Sequence, residues 1–274
     1  MKYCCGITTY YPEASDVNCV LGLTAAFSKV YIYDNTPGGI DSCLKQKLLD
    51  DPKIVFFSNG ENDGLSIAYQ CFHEVAKCKY DYLCLLDQDS RLTNKDISKI
   101  INSIEEDSDN SVAIYAPRIQ YQHSKQLSPS NRVDIVDWVI SSGSFIKIDF
   151  LNTISGFDNY YFIDRIDQDL CLCFRKKNKK IKIINSVTLL QDLGEIKNIF
   201  GLKFFQHNEF RNYHIARNRL YFYRKHKEVY TLPNIRAWLG TIKQVTHIIF
   251  IQDEKFSKVK SVISGVKDFY YANP

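Results

Sequence analysis

The sequence predicts an α/β fold with a mostly parallel central sheet, and three observations lead to this prediction. The length of 274 residues suits one large domain with a small appendage. The first half of the chain alternates strand patterns with helix patterns, which is typical of parallel sheets. Each of the first four strand patterns ends in a polar, turn-rich segment. Since ligands bind outside the carboxyl ends of the strands in such sheets, these segments indicate one shared ligand-binding edge.

The strands of the first half are predicted from short apolar runs that stop at turn signals. These strands are Tyr3–Thr9, Val30–Tyr33, Lys53–Phe57 and Tyr82–Leu86. Between them the pattern predicts helices over Val17–Ser28, Ile40–Leu49 and Leu65–Lys77.

The second half of the chain has a less regular pattern. Strands are predicted at Val112–Ala116, Trp138–Ser144, Phe145–Ile148 and Lys180–Leu190, and Ile119–Ser130 is predicted to be a polar loop. Helices are predicted over Asp167–Lys176, over residues 208–226 and over about the last forty residues. The two strands around residue 144 are expected to flank a Ser-Ser-Gly-Ser turn.

Composition excludes several classes of protein. An apolar fraction of 45% excludes a disordered chain, and a net charge of +4 suits an anionic ligand or membrane surface better than nucleic acid. The nine cysteines include no Cys-x-x-Cys pair, so we expect no zinc cage. Free thiols in this number suit a protein of the reducing cytosol. The chain enters a strand pattern at once and contains no long apolar stretch, so we expect neither a signal peptide nor a membrane span.

The most informative motif is Asp87-Gln88-Asp89-Ser90, which directly follows the apolar run Tyr82–Leu86. Two carboxylates at a strand end form a hard-oxygen site suited to Mg²⁺ or Mn²⁺ carrying a phosphate-bearing ligand. The alternative is an Asp-rich turn that caps the next helix. The motifs before and after this one favour the metal site.

Several short motifs follow one another along the chain. The first half contains Ile7-Thr8-Thr9-Tyr10-Tyr11-Pro12, Asp34-Asn35, Asn59-Gly60-Glu61-Asn62-Asp63-Gly64 and the Asp87-Gln88-Asp89-Ser90 motif. The second half contains Ser142-Gly143-Ser144, Gly156-Phe157-Asp158, Phe162-Ile163-Asp164, Asp167-Gln168-Asp169 and Arg217-Asn218-Arg219-Leu220. In this order the motifs resemble the inverting family 2 glycosyltransferases, most of all the rhamnosyltransferase branch that builds bacterial surface polysaccharides.

The resemblance implies a GT-A fold, in which a Rossmann-like nucleotide-binding half precedes an acceptor-binding half. It places these halves at residues 1–110 and 111–225, followed by a helical C-terminal extension at residues 226–274. It also implies a nucleotide-sugar donor that contacts a set of residues in the first half. These are Thr8, Tyr10, Asp34, Asn59, Gly64 and Asp87. For Asp34, Asn59 and Gly64, turn formation is the alternative role.

The resemblance further implies the chemistry. Asp89 would ligate the metal with Asp87 beside it, and the metal would neutralise the departing nucleoside diphosphate. An inverting transfer needs a general base for the acceptor hydroxyl. Asp167 lies at the family's base position, where Ile166-Asp167 replaces the usual Glu-Asp, and Asp164 competes for the role. The alternative is that Asp167 and Asp169 cap the following helix and match the charge of its N-terminus, and this explains Asp169 better than Asp167.

Two further elements of the family pattern would contact the metal or the phosphates of the donor. Many relatives carry a His where this chain has Gln191. Either Asp192 or His207 replaces it, or the metal is held mainly by Asp89 and the diphosphate. Arg217 matches the family's Arg-Asn element, and its guanidinium suits a phosphate. A solvated charged face is the alternative.

The predicted function is transfer of a sugar, with L-rhamnose from dTDP-rhamnose as the first candidate, to a lipid-linked or oligosaccharide acceptor. UDP-galactose and UDP-glucose are the alternative donors, and a non-catalytic glycan- or nucleotide-binding subunit is the alternative class. The tail interleaves lysines with apolar residues, which favours peripheral contact with the inner face of the plasma membrane. An ordinary packed helix is the alternative there, and the oligomeric state stays open.

Overall fold

The computed structural model describes residues 1–121, 130–191, 196–199 and 202–272. The chain divides into two compact units. The first comprises Met1–Asn159 and Leu170–Gln191, and the second comprises Tyr160–Asp169 and Asp192–Pro274. The division into functional halves at residues 110 and 225 stays a prediction.

The first unit is built on one mixed sheet. Its strands are β1 (Tyr3–Thr9), β2 (Lys29–Asp34), β3 (Ile54–Phe57), β4 (Tyr82–Asp87), β5 (Val112–Tyr121), β6 (Val133–Ile135), β7 (Phe145–Lys147) and β8 (Lys180–Gln191). Their order is β3-β2-β1-β4-β7-β5-β8-β6, in which β3, β2, β1 and β4 are parallel and β7 is antiparallel to β4 and β5. The predicted α/β fold is confirmed.

Among the described residues, five α-helices belong wholly to the first unit and accompany its sheet. These are α1 (Ala14–Leu23), α2 (Ser42–Leu49), α3 (Gly64–Ala76), α4 (Asn94–Glu106) and α5 (Ile148–Asn152). α3 approaches β1 so closely that a Cβ at Gly6 would stand 2.3 Å from the Phe72 ring. The helix α6 (Ile166–Lys176) begins in the second unit and ends in the first.

Several predicted bounds differ from the structure. α1 begins three residues before the predicted Val17, because Glu13 and Asp16 form a capping box that starts the helix there. The strand predicted at Trp138–Ser144 is wrong: Ser144 N donates to Ser141 O at 2.9 Å, and this turn replaces extended chain. Ile119 to Tyr121 continue β5 rather than opening a loop, and residues 122–129 of that predicted loop lie outside the described residues.

In the second unit, the described residues include the hairpin β9 (Ile196–Ile199) and β10 (Leu202–Phe205), which the sequence pattern did not predict. Its helices are α7 (Glu209–Lys225), α8 (Pro233–Ile251) and α9 (Lys255–Ala272). α7 packs on α8 and α9 through two small clusters, Ala216 with Ile248 and Val262, and Leu220 with Ala237 and Phe269.

The tail helix α9 buries one of its sides against α7. Lys258, Val262 and Phe269 are buried, so the packed-helix alternative holds for these three residues. None of the helices in the described part of the chain combines the length and the apolar character that crossing a bilayer requires.

His214 gives the second unit a predicted sensitivity to acid. Burial, together with the nearby charge of Arg217, lowers the pKa of this histidine to about 4. Below pH 6.5 the unfolded chain binds a proton that the folded chain refuses, so folding loses stability as the pH falls towards 4. The loss amounts to about 3 kcal/mol at most.

The replacement His214→Phe removes this proton while keeping a ring against Phe162, whose centroid lies 5.0 Å from that of His214. We expect the free energy of unfolding, measured with urea, to fall less for the variant than for the wild type between pH 7.5 and 4.5. Unfolding at pH 8, where neither state binds the proton, supplies the reference. Equal pH slopes for the two proteins would show that the folded histidine titrates normally.

Candidate active site

The carboxyl ends of β1, β2 and β4 lie side by side at one edge of the sheet. Thr9 is in register with Asp34, and Thr8 is in register with Asp87. Parallel pairing requires this neighbourhood, because strands running the same way end on the same side. The structure therefore brings together three of the predicted donor-binding residues, Thr8, Asp34 and Asp87.

The Asp87-Gln88-Asp89-Ser90 motif forms a turn at the end of β4. Asp87 is the last strand residue and is half-buried, whereas Asp89 is exposed. Ser90 N donates to Asp87 O and Asp87 N donates to Ser90 Oγ, each at 3.0 Å. These bonds fix the turn without using the Asp89 carboxylate. An exposed carboxylate beside a half-buried one supplies the hard-oxygen donors that Mg²⁺ and Mn²⁺ prefer.

Gln88, between the two aspartates, ties this turn to the segment that follows β1. Tyr10 N donates to Gln88 Oε1 at 2.7 Å, and Gln88 Nε2 donates to Tyr10 O at 3.2 Å. The Tyr10 ring is 51% exposed and meets the Tyr11 ring edge-on at 4.7 Å. Sequence reasoning assigned Gln88 no role, because only the sheet places it opposite Tyr10.

Asp34 is fully buried. Its Oδ1 accepts hydrogen bonds from Thr9 Oγ1 at 3.1 Å and from Thr36 N at 3.2 Å, and its Oδ2 accepts one from Ile40 N at 3.1 Å. Turn formation accounts for these contacts. A contact with the nucleotide stays a prediction.

The loop from Asn59 to Gly64 is tied to the end of β2. Asn35 Oδ1 accepts from Asp63 N at 3.1 Å, and Asn59 Nδ2 and the Tyr33 hydroxyl donate to Asp63 Oδ2 at 2.6 Å and 2.5 Å. Burial and this contact with Asp63 raise the pKa of Tyr33 well above its usual range. Asn59 is exposed, and Gly64 adopts φ +82°, which glycine favours.

The Ser142-Gly143-Ser144 motif lies against the end of β4. Gly143 N donates to Leu85 O at 2.7 Å, and the hydroxyls of Ser90 and Ser142 lie 2.7 Å apart. The motif therefore supports the strand that carries Asp87. Gly143 itself adopts φ +79°, and a Cβ there would stand 2.7 Å from Pro117 Cγ.

Gly143→Ala is expected to destabilise the fold by about 1–3 kcal/mol, since the methyl group meets both a strained φ and a close ring. Gly22→Ala in α1 is the matched control, because nothing lies within 4 Å of a Cβ at that position. In a helix this second change should stabilise by about 0.5–1 kcal/mol. Urea unfolding of both variants measures the difference, and shifts of the same sign would refute the explanation.

In the second unit, α7 holds the loop from Tyr160 to Arg165. Arg217 Nη2 donates to Tyr160 O at 2.8 Å, and the Arg217 guanidinium lies 4.7 Å from the centre of the Tyr160 ring. Asn218 is fully buried and its Nδ2 donates to Ile163 O at 2.5 Å. The Arg-Asn motif thus positions the carboxylate-bearing loop. A contact of Arg217 with a donor phosphate stays a prediction.

Asp164 has the least ordinary geometry in this loop. Asp164 and Arg165 adopt φ +63° and +69°, a region that costs energy for residues other than glycine. Asp164 Oδ1 lies 3.5 Å from Arg211 Nη2, while its buried Oδ2 has no hydrogen-bond partner among the described residues. Strain and an unpaired carboxylate oxygen are typical of functional positions. Asp167 is half-buried in the first turn of α6.

Asp169 has a structural role. It is buried and accepts hydrogen bonds from the Tyr161 hydroxyl at 3.2 Å and from Lys225 Nζ at 2.8 Å. Its Oδ1 also lies 2.8 Å from Nε2 of the buried His226. These contacts anchor α6 to the end of α7.

The candidates for the missing family histidine are only partly described. Gln191 is the last residue of β8, and Asp192 lies outside the described residues. Burial lowers the pKa of the half-buried His207, and the charge of Arg211 lowers it further. Their contribution to a metal site stays a prediction.

Two sequence comparisons bear on the family of this chain. The sequence profile of the family described as Glycosyl transferase family 2 matches residues 30–182. The chain is also 25% identical to the dTDP-rhamnosyl transferase RfbF of Shigella flexneri over 96% of this chain and 93% of that protein.

Two solved structures share the fold. GalNAc-T7, crystallised with UDP, GalNAc and Mn²⁺, superposes with a TM-score of 0.58 at 12% identity, covering 80% of this chain. This chain spans 50% of the GalNAc-T7 chain. Residues 1–349 of S. aureus TarS superpose with a TM-score of 0.54 at 11% identity, covering 99% of this chain and 72% of that one. The GT-A fold is thereby confirmed, and the chain belongs to glycosyl transferase family 2.

Proposed function

We propose that this glycosyltransferase moves L-rhamnose from dTDP-rhamnose to a lipid-linked or glycan acceptor during synthesis of a bacterial surface polysaccharide. The similarity to the dTDP-rhamnosyl transferase supports the donor, because it extends over 96% of the chain. The observation that carries the proposal is the strand edge, where exposed Asp89 and half-buried Asp87 adjoin Thr8. UDP-galactose and UDP-glucose remain the competing donors.

The donor site is assigned to the first unit. Exposed Tyr10 offers a ring on which a pyrimidine base can stack, and the loop from Asn59 to Gly64 faces the ribose. Asp89, with Asp87 beside it, would hold a divalent ion, and such an ion would supply the charge that stabilises the departing diphosphate. The fully buried Asp34 shapes this site through its turn.

The transfer is an inverting displacement in a single step. Asp167, or Asp164 in its place, takes the proton from the acceptor hydroxyl as the acceptor oxygen bonds to the anomeric carbon. The bond between that carbon and the diphosphate oxygen breaks, and the nucleoside diphosphate leaves with the electron pair. Arg217 and Asn218 act here as positioning residues, since they fix the loop that carries Asp164.

The site of action is proposed to be the cytoplasmic face of the plasma membrane. All nine cysteines are free thiols, and Cys4, Cys5, Cys84 and Cys171 are buried, which supports a reducing compartment. A lipid-linked acceptor would be met at this face.

A thermal-shift panel tests the donor. Wild-type protein is heated with Mn²⁺ or Mg²⁺ and with dTDP-rhamnose, UDP-galactose or UDP-glucose, since a ligand of the native state raises the melting temperature with its concentration. We expect the largest shift with dTDP-rhamnose and a metal. A larger shift with a UDP-sugar would replace the donor, and release of nucleoside diphosphate without any metal would contradict the metal role.

A further inference from the structure

One face of α8 leaves large apolar side chains in solvent. We call this set the α8 face. Its members are Ile235, Trp238, Leu239, Ile242, Ile249 and Phe250, which are 41–76% exposed. They recur at intervals of three, four or seven residues, which correspond to one or two helical turns, and so share one side of the helix. Single exposed apolar residues are ordinary on protein surfaces, but a contiguous set of this size marks a binding surface.

The α8 face continues onto α9 through a groove. A cavity of about 400 Å³ lies between the two helices, with Trp238, Ile242 and Val245 on one side and Val262 and Ile263 on the other. Ile263 is itself 61% exposed, so the apolar surface runs across both helices. Phe256, at 87% exposure, and Tyr271, at 76%, extend it along α9.

The charges that accompany this surface are mainly positive. α8 carries Arg236 and Lys243 and has no acidic residue between Pro233 and Gln252. On α9, exposed Lys260 and Lys267 stand three or four residues from Ile263, and Lys267 Nζ lies 5.5 Å from the centre of the Tyr271 ring. The nearby acidic Asp268 accepts a hydrogen bond from the Tyr213 hydroxyl at 2.9 Å.

The combination of exposed apolar side chains and positive charge favours one binding partner over another. A second copy of the chain would present the same patch, with the same excess of positive charge, and like charges oppose such an interface. An anionic lipid surface satisfies both parts, since its acyl region takes apolar side chains while its headgroups attract lysines. Trp and Tyr also favour the boundary between headgroups and acyl chains.

We propose that the α8 face and the adjoining lysines of α9 bind the surface of an anionic bilayer, with α8 lying in the interface. This relocates the membrane contact predicted for the tail, because Lys258, Val262 and Phe269 are buried. The inference rests on the proposed function insofar as it places the enzyme next to a lipid-linked acceptor. Its test does not depend on transfer.

Tryptophan fluorescence tests the contact directly. The chain has two tryptophans, so Trp138→Phe leaves Trp238 on the α8 face as the single reporter. We expect a blue shift on adding vesicles of phosphatidylglycerol and phosphatidylcholine, and quenching when brominated lipid is included. Vesicles of phosphatidylcholine alone should give neither change. No shift with anionic vesicles at low salt would overturn the proposal.

Vesicle co-sedimentation separates the apolar and charged parts. The triple variant Leu239→Ser, Ile242→Ser, Phe250→Ser and the double variant Lys260→Gln, Lys267→Gln should each lower vesicle partitioning about tenfold or more. Leu49→Ser, which changes a 45% exposed leucine in the first unit, is the matched control and should bind as wild type does. Added salt should weaken binding of the wild type and have less effect on the double variant.

Two outcomes contradict the proposal. Equal sedimentation of wild type and the triple variant would place the contact elsewhere. A dimer in analytical ultracentrifugation that the triple variant dissociates would assign the face to a second copy. The thermal-shift panel runs without lipid and so tests donor binding separately. If the wild-type protein binds its donor but does not bind anionic vesicles, the membrane inference fails and the proposed function stands.

Discussion

Replacement of Asp89 by alanine is expected to reduce sugar transfer at least about 10³-fold, because charge stabilisation by a metal is worth several kcal/mol and each 1.36 kcal/mol is a factor of ten. The structure leaves this carboxylate exposed at the end of β4, where the two hydrogen bonds that fix the turn join Asp87 to Ser90 and use neither oxygen of Asp89. Metal-dependent binding of nucleoside diphosphate should weaken together with turnover. Radiolabelled-sugar transfer and calorimetry measure the two effects.

The matched control is Asp149→Ala, which removes an exposed carboxylate in the first turn of α5. It should transfer sugar at the wild-type rate. Wild-type protein should lose activity in excess chelator and regain it with Mn²⁺ or Mg²⁺. Near-normal turnover of Asp89→Ala, or full wild-type activity in chelator, would remove Asp89 from the metal site.

The second large effect is expected from Asp167→Asn. Removing a general base costs about 10²–10⁴-fold in rate, and the amide keeps the volume of the carboxyl group. Donor binding should be retained, since Asp167 is not among the residues assigned to the nucleotide. Calorimetric titration of the nucleotide sugar and a transfer assay on the same preparation separate the two effects.

Asp164→Asn decides between the two candidate bases. Its carboxylate combines a strained backbone with an unpaired buried oxygen, so it has the geometry of a functional group. If Asp167→Asn turns over normally while Asp164→Asn loses the rate and keeps donor affinity, the base is Asp164. If both variants keep the wild-type rate, the base is neither Asp164 nor Asp167.

Sequence patterns predicted the regular elements well where local chemistry decides them. β1 matches its predicted bounds at Tyr3–Thr9, and α6 and α7 begin within one residue of the prediction. Apolar runs and helix caps act over a few residues, so they can be read from the chain alone. The strand predicted at Trp138–Ser144 failed because its apolar residues follow a strand pattern. The turn at Gly143 depends instead on a hydrogen bond from Gly143 N to Leu85 O, 58 positions earlier in the chain.

The sequence by itself determined the α/β class, the family and the residue types that the chemistry needs. Motif order named Asp87, Asp89, Asp164 and Asp167 as candidates, and their roles stay predictions. Roles that depend on burial and on distant partners came only from the tertiary structure. It buried Asp34 in its own turn, tied Gln88 to Tyr10, and directed Arg217 to Tyr160 O. The physical reason is that a side chain's residue type is local, whereas its solvent exposure and its hydrogen-bond partners are set by segments far away in the chain.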